Sequence, residues 1–124
     1  MSDIYILFDH LDSDRERTLT GYLYSDDRSK PKQVLYILVN DPLHWDVEND
    51  GAVPLFLHCM DVEPEHDRLW TIGLNYLANY ARNHGYPGIL TNGKSTTHSE
   101  QAVEDHLLAA GFKKLNYRRY WLDL

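Results

Sequence analysis

The chain contains a single cysteine among its 124 residues, and this scarcity excludes two kinds of site. Cys59 cannot form a disulfide within the chain, and it cannot supply the thiolate pairs of a cysteine-based zinc site. The longest apolar run, Val34 to Val39, is far shorter than the ~20 residues that span a bilayer. No signal peptide is recognisable before Asp3. We therefore expect a cytoplasmic protein that has no membrane partner.

Positive charge is also scarce. The sequence has 12 Lys and Arg residues against 19 Asp and Glu residues, which gives a formal net charge of −7. Proteins dedicated to nucleic acids or anionic membranes need clustered cations. We therefore expect no nucleic-acid partner and favour a cationic or neutral one.

Glycine and proline are few, with seven and five residues, and they fall mostly at the boundaries of predicted elements rather than in a linker. No internal repeat is present. Because 43% of the residues are apolar, the chain can bury a substantial core. These features predict one continuous domain over residues 1–124.

The first half of the chain has the two-residue period of β-strands. Alternating or branched apolar residues predict four strands near residues 4–8, 19–24, 34–39 and 55–60. Between the third and fourth strands lies a long loop, in which Trp45 is interpreted as a lid anchor that packs on the domain. The first half therefore predicts a strand-rich beginning of the fold.

The second half changes to the period of helices. Apolar residues at steps of three and four predict a helix from Leu69 to near Gly85, with Asp67 as its N-cap. A short strand at 89–91 follows. A capping box from Thr97 to Glu100 opens a second helix, which Gly111 ends, and a last strand covers 115–124. The order β-β-β-β-α-β-α-β predicts an α+β fold with a mixed sheet and helices on its faces.

The stretch from Val62 to Gly73 resembles the acyl-CoA-binding motif of the GNAT N-acetyltransferases. Val62-Glu63-Pro64 matches the V-x-P part, and Arg68 to Gly73 follows R/Q-x-x-G-x-G/A, with Thr71 at the first glycine position. Gly111-Phe112 after the second helix matches the Gly-Phe of that family. The resemblance covers roughly residues 53–124. It implies a three-layer, mostly antiparallel GNAT-like sheet.

The resemblance also implies a reaction, the transfer of an acetyl group from acetyl-CoA to a small-molecule or peptide amine. In the family, the pantetheine arm lies between the splayed fourth and fifth strands and pairs with the backbone of the fourth. The pyrophosphate binds at a helix N-terminus, where free N–H groups and the helix dipole favour anions. The implied cofactor-binding residues are Val62, Arg68, Leu69, Trp70, Thr71, Ile72 and Gly73.

Transfer needs a base to take the proton of the amine. Glu63 and Glu65 are the candidate catalytic residues, with His58 and His66 in reserve. Solvated acids at a strand end are an alternative interpretation of both glutamates.

The sequence departs from the family pattern at several points. Leu107 stands where many members carry a tyrosine that acts as the general acid. The two helices that usually follow the first strand in the family are missing. A non-catalytic GNAT-fold binding or regulatory module is therefore the alternative function. An incomplete sheet would leave an open edge, which favours a homodimer.

Two further patterns are weighed against the resemblance. Gly88 to Ser95 matches the Walker A letters, but its first residues are interpreted as a buried strand, which argues against nucleotide hydrolysis. The seven histidines form neither H-x-x-x-H nor H-x-x-E-H, and the nearest pair, His98 and His106, is eight residues apart. We therefore expect no metal site.

Overall fold

The computed structural model describes residues 3–10, 16–24, 32–41 and 53–124. Trp45 lies outside these ranges, so its interpretation as a lid anchor stays a prediction. The described strands are β1 (Asp3–His10), β2 (Glu16–Tyr24), β3 (Lys32–Asn40), β4 (Leu55–Val62), β5 (Gly88–Thr91), β6 (Lys113–Asn116) and β7 (Arg119–Asp123). The described helices are α1 (Leu69–Asn83) and α2 (Glu100–Ala109), and a short 3-10 helix covers Pro64–His66.

The seven strands form one sheet in the order β1-β2-β3-β4-β5-β7-β6. All neighbouring pairs are antiparallel except β4 and β5, which pair in parallel. Parallel strands need a crossover connection, and α1 provides it between β4 and β5. The predicted fold class, a mixed and mostly antiparallel sheet with two helices, is confirmed.

The C-terminal tail folds differently from its prediction. It forms two antiparallel strands, β6 and β7, rather than one. The chain reverses at Arg118, which adopts a φ of 63°. Because no glycine or proline marks this turn, the alternation of the tail gave no signal of a hairpin.

One face of the sheet carries the core. Leu35, Ile37 and Val39 of β3 point to this face, together with Met60 and Val62 of β4, and all are buried. Both described helices pack on it: α1 places Gly73 against Met60, and α2 reaches Tyr120 of β7, whose hydroxyl donates to Glu104.

The opposite face of the sheet is only half-buried in the described residues. It presents Tyr36, Leu38, Phe56, Leu90 and Trp121. The prediction placed helices on the faces of the sheet, and the described helices cover one of them.

The two helix starts differ from the predicted caps. Arg68, not Asp67, occupies the N-cap of α1 and makes no side-chain capping bond. The N-cap of α2 is Ser99, whose hydroxyl accepts a hydrogen bond from the Ala102 amide at 3.2 Å. Asp67 and Thr97 instead bond to more distant residues. The predicted stop at Gly111 is confirmed, since Gly111 follows α2 with a φ of 99°.

A buried polar cluster joins α1 to β2 and β3. Asp41 is fully buried and accepts hydrogen bonds from the hydroxyls of Tyr80 and Tyr86. Arg17 lies beside it, with Nε 3.7 Å from Asp41 Oδ2 and Nη1 2.8 Å from the Tyr80 hydroxyl. A buried carboxylate is tolerated only when it is paired in this way.

In the described residues, no helix has the length and apolar character needed to cross a membrane.

Candidate functional site

Several elements end at one edge of the sheet. The parallel strands β4 and β5 both finish there, and the chain continues from them into the N-termini of α1 and α2. The turn between β6 and β7 reaches the same edge, because Tyr120 pairs with Thr91 at the end of β5. We call this the carboxyl edge. Ligands of sheets with parallel strands bind in the crevice outside such ends, so this edge is the candidate site.

The residues between β5 and α2 continue alongside the second half of β4, in the direction of that strand. The Met60 amide donates to the Lys94 carbonyl at 3.1 Å, and the Val62 amide donates to the Thr97 hydroxyl at 3.1 Å. We call residues 92–97 the return segment. Backbone donors of β4 that the resemblance assigns to the pantetheine arm are therefore bonded to the chain itself.

Asp61 fixes the return segment from the same strand. Its Oδ1 accepts hydrogen bonds from the Ser95 hydroxyl at 3.2 Å and from the Thr96 amide at 2.7 Å. Together with the two β4 amides, these contacts hold the segment by four hydrogen bonds. The space beside the second half of β4 is thus filled by protein.

A pocket of about 620 Å³ lies at the carboxyl edge between the return segment, the first turns of α2 and the β6–β7 hairpin. Its walls carry two ion pairs. Lys114 Nζ lies 2.6 Å from Glu104 Oε1, and Arg118 pairs with Glu100. Lys94 also lines the pocket, and its ammonium group makes no ion pair within the described part of the chain. The pocket is polar and has more cations than carboxylates.

Glu104 is electrostatically coupled to Lys114 and Tyr120. Hydrogen bonds from Lys114 and Tyr120 lower the pKa of Glu104, and the contact with Glu104 raises the pKa of Lys114. The pKa of Tyr120 is raised, first by burial and then by its hydrogen bond to Glu104. At neutral pH, Glu104 is therefore a carboxylate and Tyr120 a neutral donor.

The two candidate bases do not line the pocket. Glu63 follows β4, its amide donates to the Val34 carbonyl, and its carboxylate lies 3.6 Å from Lys32 Nζ. Glu65 is exposed in the 3-10 helix. The reserve histidines His58 and His66 are half-buried, and the ring of His58 packs edge-on against Phe56.

The implied cofactor-binding residues divide into two groups. Arg68, Thr71 and Ile72 are exposed at the start of α1, whereas the buried group comprises Val62, Leu69, Trp70 and Gly73. A Cβ at Gly73 would lie 2.8 Å from the Met60 methyl group. Gly73 therefore lets α1 approach β4 closely, which is a packing reason for a glycine.

Trp70 is the centre of an aromatic cluster with two histidines. Its indole stacks on His106 at a ring distance of 5.0 Å and meets His98 edge-on at 5.3 Å. His98 Nε2 lies 3.0 Å from Asp67 Oδ1. Residue spacing within one helix does not predict this cluster, because only the packing of α1 against α2 brings its members together.

Two other motifs have structural explanations. Gly88, the first Walker A letter, lies in β5, and a Cβ there would stand 2.2 Å from the Trp121 ring. This agrees with the interpretation of those letters as a strand.

Cys59 is half-buried, and burial raises the pKa of its thiol, which disfavours the nucleophilic thiolate.

Comparison with known proteins supports the class of fold. The chain has an acetyltransferase-like fold, a mixed sheet with one helix, α1, at the β4–β5 crossover and a second helix, α2, after β5. A crystal structure from Staphylococcus aureus Mu50, of a protein named "putative acetyltransferase", matches with a TM-score of 0.55 and 20% sequence identity. The match covers 84% of this chain and 70% of the staphylococcal chain. No protein-family model and no curated protein matches the sequence.

Proposed function

We propose that this chain is a ligand-binding module on the acetyltransferase fold, in which the return segment takes the place of the pantetheine arm and acetyl transfer is lost. The observation that carries the proposal is the bonding of the Met60 and Val62 amides to residues 94 and 97. A pantetheine arm would have to break these bonds and the two to Asp61. At a net ~1 kcal/mol per hydrogen bond, the four together cost about 4 kcal/mol, or a ~1000-fold loss of affinity.

In this proposal the pocket at the carboxyl edge binds the ligand. Its volume of about 620 Å³ is in the range of small-molecule sites. Lys94 offers an ammonium group without an ion pair in the described residues, so a small polar molecule with an anionic group fits best.

Thermal unfolding with and without millimolar acetyl-CoA tests the proposal, because a ligand that binds only the folded state raises the melting temperature. We expect no shift for the wild type. Thr97→Val removes the acceptor of the Val62 amide and loosens the return segment. Thr96→Val is the matched control, since Thr96 bonds Asp61 through its backbone.

The proposal predicts that neither the wild type nor Thr96→Val binds acetyl-CoA, and that any gain of binding is confined to Thr97→Val, whose return segment is loosened. A clear shift in the wild type, or an equal shift in both variants, would overturn it.

N-acetyl transfer from acetyl-CoA to a small-molecule or peptide amine is the second candidate, favoured by the fold comparison and the motif at Val62 to Gly73. The amine nitrogen would attack the thioester carbonyl, the C–S bond would break, and CoA would leave as the thiolate. Glu63 or Glu65 would take the amine proton. The backbone of Val62 and of residues 68–73 would hold the cofactor after the return segment moved out.

Release of the CoA thiol in the presence of amines tests this candidate. Thr71→Gly restores the family's glycine at an exposed position and should increase activity if the loop binds pyrophosphate. Glu63→Gln and Glu65→Gln should lower the rate, with Asp105→Asn, an exposed acid on α2, as control. Absence of thiol release in the wild type and in Thr71→Gly would exclude transfer to the amines tested.

A further inference from the structure

Three residues with metal-binding side chains meet at the carboxyl edge. Asp67 precedes α1, His98 precedes α2, and His106 lies within α2. One carboxylate oxygen of Asp67 and one nitrogen of each imidazole all lie within 4.8 Å of one another. Two imidazoles and a carboxylate are ligand types that zinc binds, and three protein ligands leave a coordination position open.

The surroundings of His98 point to a cation between it and Asp67. His98 Nε2 lies 3.0 Å from Asp67 Oδ1, an acceptor, and 3.4 Å from Trp70 Nε1, a donor. In the tautomer that carries its proton on Nδ1, Nε2 presents a lone pair to this carboxylate oxygen, and a cation bound between the two atoms would remove their repulsion. Two ligands that each lie ~2.1 Å from one tetrahedral zinc ion are ~3.4 Å apart, so a shift of a few tenths of an ångström between Asp67 Oδ1 and His98 Nε2 would admit the ion.

The other ring nitrogen of His98, Nδ1, has a hydrogen-bond partner, as the non-coordinating nitrogen of a metal-bound histidine usually does. Nδ1 lies 2.9 Å from the Thr97 hydroxyl, which can accept its proton. Such an outer contact selects the tautomer in which Nε2 keeps its lone pair and orients the ring towards a metal.

The two imidazoles are also held in place by packing. Trp70 is buried and contacts both rings, one by stacking and one by its edge. The Asp67 side chain is 61% exposed and can adjust its position. The cluster thus combines two fixed ligands with one ligand that can move to complete the coordination.

We propose that Asp67, His98 and His106 form a binding site for a divalent transition-metal ion, with zinc as the best match. Magnesium and calcium prefer all-oxygen ligand sets and should not bind there. The proposal does not rest on acetyl-CoA binding, because none of the three ligands bonds a β4 amide, although Thr97, which orients His98, also accepts the Val62 amide.

Calorimetric titration of the chelator-treated full chain with zinc sulfate tests the proposal. We expect one strong site, and a loss of affinity of at least about tenfold in Asp67→Asn, His98→Gln and His106→Gln. His58→Gln is the matched control, because His58 is also half-buried but packs against Phe56. It should bind zinc as the wild type does.

Cobalt provides a second readout. Bound Co²⁺ should give visible d–d absorption and quench the fluorescence of Trp70, and both signals should be lost in His106→Gln. Circular dichroism of Asp67→Asn, whose side chain is exposed, separates loss of a ligand from loss of the fold. Equal zinc affinity in the wild type and in all three ligand variants, or no zinc binding by the wild type, would overturn the proposal.

Discussion

Two glycines differ in how much a side chain would disturb their surroundings. A Cβ at Gly88 would lie 2.2 Å from Trp121 Cζ2 and 2.6 Å from the Leu122 carbonyl oxygen, and neither the ring nor the backbone can move cheaply. We expect Gly88→Ala to lower the free energy of unfolding by about 3 kcal/mol. At Gly73 the close atom is the flexible Met60 methyl, and alanine also favours the helix, so Gly73→Ala should change stability by less than ~1 kcal/mol. Urea denaturation of both variants measures the difference, and equal losses would contradict it.

Asp41 is the residue whose loss should cost most stability. Asp41→Ala would leave Arg17 and two tyrosine hydroxyls buried without their carboxylate. We expect the free energy of unfolding to fall by about 3–5 kcal/mol, the usual cost of breaking a buried pair. The exposed Asp105→Ala on α2 is the control and should stay within ~0.5 kcal/mol of the wild type. Equal stability of the two variants in urea would show that the buried cluster adds nothing.

Tyr80 makes stability depend on alkaline pH. Burial, followed by its hydrogen bond to Asp41, raises the pKa of Tyr80 above its ordinary value of 10.0. The unfolded chain therefore loses this proton first, so the contribution is fully present below about pH 10 and is lost as pH rises towards the folded pKa.

Urea denaturation between about pH 8 and 11 should consequently give a free energy of unfolding that falls above about pH 10. Tyr80→Phe should be less stable at neutral pH but should show a shallower alkaline decline. The remaining slope belongs to other groups with raised pKa, such as Tyr76 and Tyr120. An unchanged slope in Tyr80→Phe would contradict this assignment.

At the scale of elements, the start of α2 depends on Ser99. Its hydroxyl accepts the Ala102 amide, one of the donors that a helix leaves unpaired at its N-terminus. Ser99→Ala should lower the free energy of unfolding by about 1 kcal/mol, and Ser99→Asp should restore most of it. Chemical denaturation measures both variants. A neutral Ser99→Ala would place the cap elsewhere, for example at Thr97 as the capping-box pattern predicted.

Elements with a strong period were predictable, whereas their ends were not. The strands β1 to β5 follow from alternating or continuous apolar residues, and the helices α1 and α2 from apolar residues spaced by three and four positions. The β6–β7 turn was missed because Arg118 adopts a positive φ without a glycine signal. Asp67 was predicted as a cap because it precedes the helix, but its carboxylate faces His98 across the fold.

The candidate site was predictable only in its location. The motif at Val62 to Gly73 led to the end of β4, which lies at the carboxyl edge. The bonding of the return segment to β4 and the meeting of His98 with His106 depend on contacts between residues distant in sequence. Local patterns do not contain such contacts, so neither could be derived from spacing.

At the scale of the whole molecule, the two edges of the sheet differ in their capacity for further pairing. β6 at one edge has four residues and begins with two lysines, features that discourage pairing with another strand. β1 at the other edge has eight residues, and in the described part of the chain no strand lies beyond it. We therefore predict that the expected homodimer forms through β1.

Light scattering during size-exclusion chromatography measures the mass, and two proline variants test the edge. Neighbouring residues of an antiparallel strand direct their N–H groups alternately to the two sides. Of Tyr5→Pro and Ile6→Pro, one should therefore remove a donor to β2 and lower stability, while the other should remove an outward donor. The second variant should be a stable monomer, because an edge strand tolerates proline on its outer side. A monomeric wild type, or a dimer that persists in both variants, would exclude β1 as the interface.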